Sequence, residues 1–172
     1  MQTKIWYAQY VLSRNDAAIQ FSEAKAGFLF ALMGLLFNGV IGGSERFLDG
    51  LNSPDVAFRS LAILLAAVYA GGVLLSVYSA FMIILPRLRG STRQESVAYF
   101  GDVASHELRP FVAKYNKLTK QDYVQHVIRQ IHATALIARV KFLYVRRMSI
   151  GVALQTAAWL LFMLTQFGEI IG

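Results

Sequence analysis

The sequence has no cysteine among its 172 residues, which excludes disulfide staples, thiolate metal sites and cysteine nucleophiles together. Proline is nearly absent: Pro54, Pro86 and Pro110 are the only three, so long stretches hold nothing that would stop a helix. Charge is scarce too, at 16% Asp, Glu, Lys and Arg, where a soluble domain carries about 25%. The three histidines, His106, His126 and His132, lack the spacing that sets two imidazoles on one helix face, so no metal site is expected. Asp102, His106 and Glu107 form the one acid/base cluster. Neither helical nor turn geometry converges them, so no enzymatic activity and no cofactor are expected.

Apolar residues are what the chain has in quantity, at 56%. Three stretches, residues 26–43, 60–85 and 148–168, are long enough to cross a hydrocarbon core, which takes about 20 residues at a rise of about 1.5 Å each. None contains a charged residue, and Asn38, Gln155 and Thr156 are their main polar groups. Pumps and coupled transporters need an intramembrane carboxylate or base, so a pore or lesion fits these stretches better than a transporter. The expected fold is all-α: an integral membrane protein with three transmembrane helices and a cytoplasmic helical segment. The first 25 residues are polar and helix-forming, with no apolar run until after Lys25, so no cleaved leader is expected.

Charge sets the expected orientation. Within the external loop assigned to residues 44–59, Glu45, Asp49 and Asp55 outnumber Arg46 up to residue 57. Residues 86–147 carry twelve Lys and Arg against Glu95, Asp102, Glu107 and Asp122, a net +8. By the positive-inside rule the basic segment is cytoplasmic. Residues 1–25 then form a cytoplasmic helix, residues 169–172 an external tail, and the C-terminus is periplasmic. The net charge of +7 is thus a topology signal, and nucleic acid is not an expected partner, since basic patches alone are blind to sequence.

Helices are written into the polar parts as well. One beginning near Lys4 meets no Pro or Gly before Ala26, and Ile5, Ala8, Leu12, Asn15, Ile19 and Ser22 share one of its faces. Thr119 followed by Asp122 is a capping box, with Leu118 and Tyr123 placed as its hydrophobic staple. Val124, Val127, Ile128, Ile131, Ala135, Ala138, Phe142 and Val145 follow at helical spacing. No proline interrupts the chain after Thr119, so one helix of roughly 45 residues, about 70 Å long, is expected to run into the third crossing. Between them, Pro86 ends the second crossing, Gly90-Ser91-Thr92 reads as a break, Tyr99-Phe100-Gly101-Asp102 reads as a turn, and a short helix over residues 107–116 carries Pro110 in its first turn.

Three features are candidates for function. Glu23 and Lys25 are opposite charges at the first membrane entry, either an interfacial anchor or a tie to the cytoplasmic segment. Gly27 and Ala31, Ala67 and Gly71, and Gly72 and Ser76 are each four apart, a spacing that lets helix backbones approach closely. Arg129, Gln130, His132, Arg139 and Lys141, with Tyr99, Tyr115 and Tyr123 nearby, offer cations for a phosphate, an aromatic face for a ring and an amide for its edge. Anionic lipid headgroups would use the same cations.

Phe21-Ser22-Glu23-Ala24-Lys25-Ala26-Gly27-Phe28-Leu29, Tyr99-Phe100-Gly101-Asp102-Val103-Ala104, and the run from Gln130-Ile131 through Ile137-Ala138 to Lys141-Phe142 together resemble the bacterial Pycsar transmembrane effectors. The segments fall in the family's order and between the same crossings, with one departure: Glu23 stands where the family has aspartate. The resemblance implies antiphage defence. A partner pyrimidine cyclase makes cyclic UMP or cyclic CMP on infection, and the effector, expected as a homo-oligomer in the bacterial inner membrane, senses it and impairs the bilayer, killing the cell. Arg139, Lys141, Gln130 and Tyr99 are the candidate ligand-binding residues. The alternative is a constitutive membrane scaffold or anionic-lipid-binding protein without nucleotide sensing.

Overall fold

The computed structural model describes residues 2–85 and 107–171. Among them are five α-helices and no strand: α1 Gln2–Gly42, α2 Ser44–Leu51, α3 Val56–Ile84, α4 Leu108–Asn116 and α5 Lys120–Ile171. Three helices, α1, α3 and α5, are long and apolar enough to cross a membrane. The features expected at Pro86, Gly90 to Thr92, Tyr99 to Asp102 and His106 lie outside the described residues.

Residues 44–59, read above as a loop, hold α2 and the start of α3. The α1 helix ends at Gly43, where a Cβ would come 2.9 Å from the Trp159 ring. After α2, a four-residue link leads to α3, whose start Asp55 caps by accepting the Ala57 N–H at 2.8 Å. The last helix is longer than expected, 52 residues or about 78 Å.

The chain forms two compact units, one from residues 1–22 and 85–142 and the other from residues 23–84 and 143–172. In the first, the α1 stripe Ile5, Ala8, Leu12, Asn15, Ile19 and Ser22 is half-buried to buried, as its spacing predicts. The Asn15 amide donates to the Ile131 carbonyl at 3.0 Å and to Thr134 Oγ1 at 3.1 Å, and Gln9 Nε2 donates to Tyr123 Oη at 3.4 Å. Early residues of α1 thus meet early residues of α5, so the two helices run parallel.

The α5 stripe needs correction. Ile128, Ala135 and Phe142 are exposed, while Thr134 is half-buried and Lys141 buried. The expected stripe joined Val124, Ile131 and Ala138 to Ile128, Ala135 and Phe142, apolar residues one position past the set that is buried. Burial follows a period of 3.5: Val124, Ile131 and Ala138 alternate with Val127, Thr134 and Lys141, each set spaced by seven. That is a coiled-coil seam, which drifts by about 20° per seven residues from the straight-helix pattern.

The second unit is a three-helix bundle. Ala26 and Leu29 of α1, Ala80 and Ile83 of α3, and Val145, Met148 and Val152 of α5 form one cluster. Ala62 and Leu65 of α3 pack with Ala158 and Phe162 of α5 in another, and Leu51 of α2 joins them. The end of α3 therefore meets the earlier part of α5 and its start the later part, making α3 antiparallel to its neighbours. The seven-residue spacing holds here too, through Met148, Gln155 and Phe162, all buried. The phenylalanines and leucines left exposed, such as Phe28, Leu35, Leu74 and Phe81, suit a bundle surrounded by lipid.

The closest approach is at two glycines. A Cβ on Gly72 would lie 2.7 Å from the Gly151 carbonyl oxygen, and one on Gly151 would lie 2.7 Å from the Gly72 carbonyl oxygen and collide with Ser76 Oγ. Backbone cannot retreat as a flexible side chain can. Gly151→Ala is therefore expected to destabilise the bundle by about 1–3 kcal/mol, the range of core overpacking. Gly71→Ala, at a position with nothing within 4 Å, leaves stability unchanged or slightly raised. Thermal unfolding of the two variants in detergent compares them.

Candidate functional site

The polar groups of the first unit are positioned by α5, and its start fixes where they fall. Thr119 N–H and Oγ1–H both donate to Asp122 Oδ2, at 3.0 and 2.6 Å, and Asp122 N–H donates back to Thr119 Oγ1 at 3.2 Å. This is the capping box expected from the sequence, and it starts the helix at Lys120.

Counting about 100° per residue from that start, the candidate residues separate onto two faces. Arg129, His132 and Arg139 share one face and are all exposed, with exposed Ile128, Leu136 and Phe142 between them. Gln130 and Lys141 lie on the opposite face, the one bearing Thr134 and turned toward α1. Lys141 is 8% exposed, an unusual depth for an ammonium. A single ligand on one face of α5 therefore reaches Arg139 or the Gln130 and Lys141 pair, not all three. Tyr99 lies outside the described residues.

The register of the Asn15 to Thr134 bond places Ser22 and Lys141, each seven residues on, in one layer of the seam. Ser22 is fully buried, and its hydroxyl donates to the Ile19 carbonyl at 2.6 Å. Polar residues at seam positions fix the register of paired helices at some cost in stability. Asn15, Thr134 and Lys141 are residues of this kind. Asn15 falls on the face expected to pack but had no role assigned to it, and spacing alone does not find Thr134 and Lys141, since exposed Ile128, Ala135 and Phe142 repeat every seven residues as well.

Tyr115 and Tyr123 are not equivalent. Tyr123 is half-buried and accepts from Gln9, whereas Tyr115 is exposed beside Phe111, ring centres 6.2 Å apart. Leu108, Val112 and Tyr115 form an exposed apolar face on α4. Glu23 and Lys25 are both exposed. Being two residues apart on one helix, their Cα–Cβ bonds point to nearly opposite sides. Further along, Tyr78 and Tyr144 pack edge to face at 6.2 Å, and the Arg147 guanidinium sits 5.2 Å from the Tyr144 ring centre.

Electrostatics at the helix start give a pH dependence. Asp122 lies well before the apolar stretch that begins at Met148, and the two hydrogen bonds from Thr119 hold its carboxyl below the usual carboxylate range. A lowered folded-state pKa means that the stabilisation is fully present above the ordinary aspartate value of about 3.9. It is lost as pH falls through the lowered folded value. Hydrogen exchange should show the Asp122 amide protected at neutral pH and losing that protection only in strong acid. In Thr119→Ala it should exchange about fivefold faster at neutral pH, the order of a lost N-cap.

Comparison with known proteins agrees with this architecture. The family model described as Pycsar effector protein domain matches residues 7–167. The Pycsar effector protein PtPycTM of Propioniciclava tarda is 30% identical over 145 residues, 80% of this chain and 67% of that one. No solved structure matches. With the family model covering both units and all three long helices, the chain belongs to the Pycsar effector protein family, whose members act in antiphage defence from a membrane.

Proposed function

We propose that the chain is the killing component of a cyclic-pyrimidine-nucleotide defence system. Cyclic UMP or cyclic CMP, made by a pyrimidine cyclase on infection, binds the first unit on the cytoplasmic side. The second unit then permeabilises the inner membrane and the cell dies before phage matures. The observation that carries this reading is that α1 and α5 each run unbroken from residues of the polar unit into residues of the apolar one. A change in seam packing at Asn15, Thr134 or Lys141 is then made in the same helices that form the bundle.

Charge placement supports the orientation. In the second unit, Lys25, Arg146 and Arg147 lie toward the end where Ala26, Ile83 and Val145 pack, and Glu45, Asp49 and Asp55 toward the other. That is the positive-inside pattern, with the N-terminus cytoplasmic and the C-terminus periplasmic. Tyr78 and Tyr144 sit at the basic end, where aromatic belts form.

The ligand works by preferring one packing of the bundle over another. Converting a nearly all-closed population to a nearly all-open one takes about 5.5 kcal/mol of such preference. Arg139 is the phosphate-binding candidate because it is exposed. Lys141 and Gln130 belong to the seam that responds, and Tyr99 is the stacking candidate by residue type. A homo-oligomer adds such preferences across its subunits.

Two variants separate ligand contact from seam packing. In liposomes loaded with self-quenched dye, cyclic UMP and cyclic CMP are added separately, with cyclic AMP as control. The parent chain is expected to release dye with a pyrimidine nucleotide and not with cyclic AMP. Arg139→Ala should require at least about tenfold more nucleotide, the equivalent of one lost charge-assisted contact. Lys141→Met should keep ligand binding while shifting the basal leak, because an apolar side chain at a seam position is tolerated. Equal dye release with and without nucleotide would favour the constitutive scaffold, for which the exposed Arg129, His132 and Arg139 face would hold anionic headgroups.

A further inference from the structure

Within the bundle of the second unit, Gln155 is fully buried between α5 and α3. Its amide donates to Ser76 Oγ at 3.0 Å and to the Gly151 carbonyl at 3.3 Å, while its Oε1 has no hydrogen-bond partner among the described residues. Tyr69 stands two helical turns before Ser76 on α3, and its buried hydroxyl is likewise unpartnered. Between Tyr69 and Ser76 on the same face is Gly72, at the crossing with Gly151.

Helix packing accounts for half of this chemistry. The Gln155 amide donors hold α5 to α3, as polar side chains do where no hydrophobic drive acts between helices. Packing does not account for the two idle oxygens. A leucine at 155 and a phenylalanine at 69 would fill similar volumes without burying acceptors that nothing satisfies. At Gly72 and Gly151 backbone lies on backbone, with the Gln155 and Ser76 side chains beside the crossing. If α3 and α5 part there, Ser76, Gln155 and Tyr69 present neutral oxygens along about 10 Å of the helix axis. Hydroxyl and amide groups offer both lone pairs and O–H or N–H donors, so together they can take over the hydration of water and of small ions of either sign.

We propose that Tyr69, Ser76 and Gln155 line a latent permeation seam between α3 and α5, which passes water and small ions once the protein is triggered. This rests on the reading of the chain as a nucleotide-triggered membrane effector and gives the lesion a place in the fold.

The absence of cysteine makes the seam directly testable. Ser76→Cys introduces a single thiol at nearly unchanged volume, and Leu74→Cys places one on the same helix at a site 72% exposed toward lipid. Each full-length protein is reconstituted in phospholipid vesicles and treated with a charged, water-soluble methanethiosulfonate, with and without cyclic UMP or cyclic CMP. The expected result is modification of Ser76→Cys about tenfold or more faster with nucleotide, tracking the opened fraction, with Leu74→Cys unreactive throughout. A carboxylate placed in the seam should favour cations, so Gln155→Glu should shift the nucleotide-triggered reversal potential across a potassium chloride gradient toward potassium selectivity relative to the parent chain. Nucleotide-triggered ion release with Ser76→Cys no more reactive than before, or with a reversal potential that Gln155→Glu leaves unmoved, overturns the seam and leaves the effector reading standing. Equal modification at both positions points to general bilayer disruption and also overturns it. No ion release from correctly inserted parent protein with either nucleotide overturns the effector reading and the seam together.

Discussion

Burial along the two longest helices follows a repeat of seven. On α5 it runs through Val127, Thr134, Lys141, Met148, Gln155 and Phe162, and on α1 through Ala8, Asn15, Ser22, Leu29 and Leu36. Each helix could in principle be surrounded by lipid or solvent on all sides, and it is this seam that gives it one inward direction. The consequences reach both units. In the first, the seam seats Asn15 against Ile131 and Thr134. In the second, it turns Met148 and Val152 to Ala26, Leu29 and Ile83, and it sets Gln155 where Ser76 can accept from it.

Seam positions are ordinarily apolar, so their polar members need a separate account. Apolar residues of similar volume at Asn15, Thr134, Lys141 and Gln155 would leave fewer buried groups to satisfy. What polar residues add is discrimination: the Asn15 bonds exist only in the observed register and are lost when one helix slides by a turn. A seam held at a few polar layers is stable while those layers are matched, and it can exchange for another packing when a bound charge changes their relative free energies. An all-leucine seam would lack that responsiveness.

Much of the fold was legible because it depends on local rules. Long apolar runs without proline specify α3 and the later part of α5, and Thr119 with Asp122 specifies where α5 begins. The α1 stripe was also legible, since Ile5, Ala8, Leu12 and Ile19 are apolar at the positions that are packed. On α5 residue type points one position away from the packed set. Thr134 and Lys141 are polar where an apolar seam residue is expected, and Ile128 and Phe142 are apolar where they are exposed, so residue type concealed the repeat. The α2 helix was hidden by its acidic, glycine-containing composition, which reads equally well as loop. The candidate site was legible as a set of residues and not as an arrangement, because assigning Arg139 and Lys141 to opposite faces needs the buried side of α5 to be known.

That division narrows how a ligand could act. A nucleotide held by exposed Arg139 touches the outer face of α5 and leaves the packed layers intact, so its influence must pass through rotation or displacement of the helix as a whole. A nucleotide reaching Gln130 and Lys141 would have to enter between α1 and α5, in competition with the contacts Asn15 makes to Ile131 and Thr134. The first mode needs no prior opening and can begin from the packing described here. The second needs the seam partly undone before binding, which lowers apparent affinity in proportion to the rarity of the opened state. Under the proposed reading the outer face is therefore the better receiver for a nucleotide, and buried Lys141 is better placed among the packed groups that would respond.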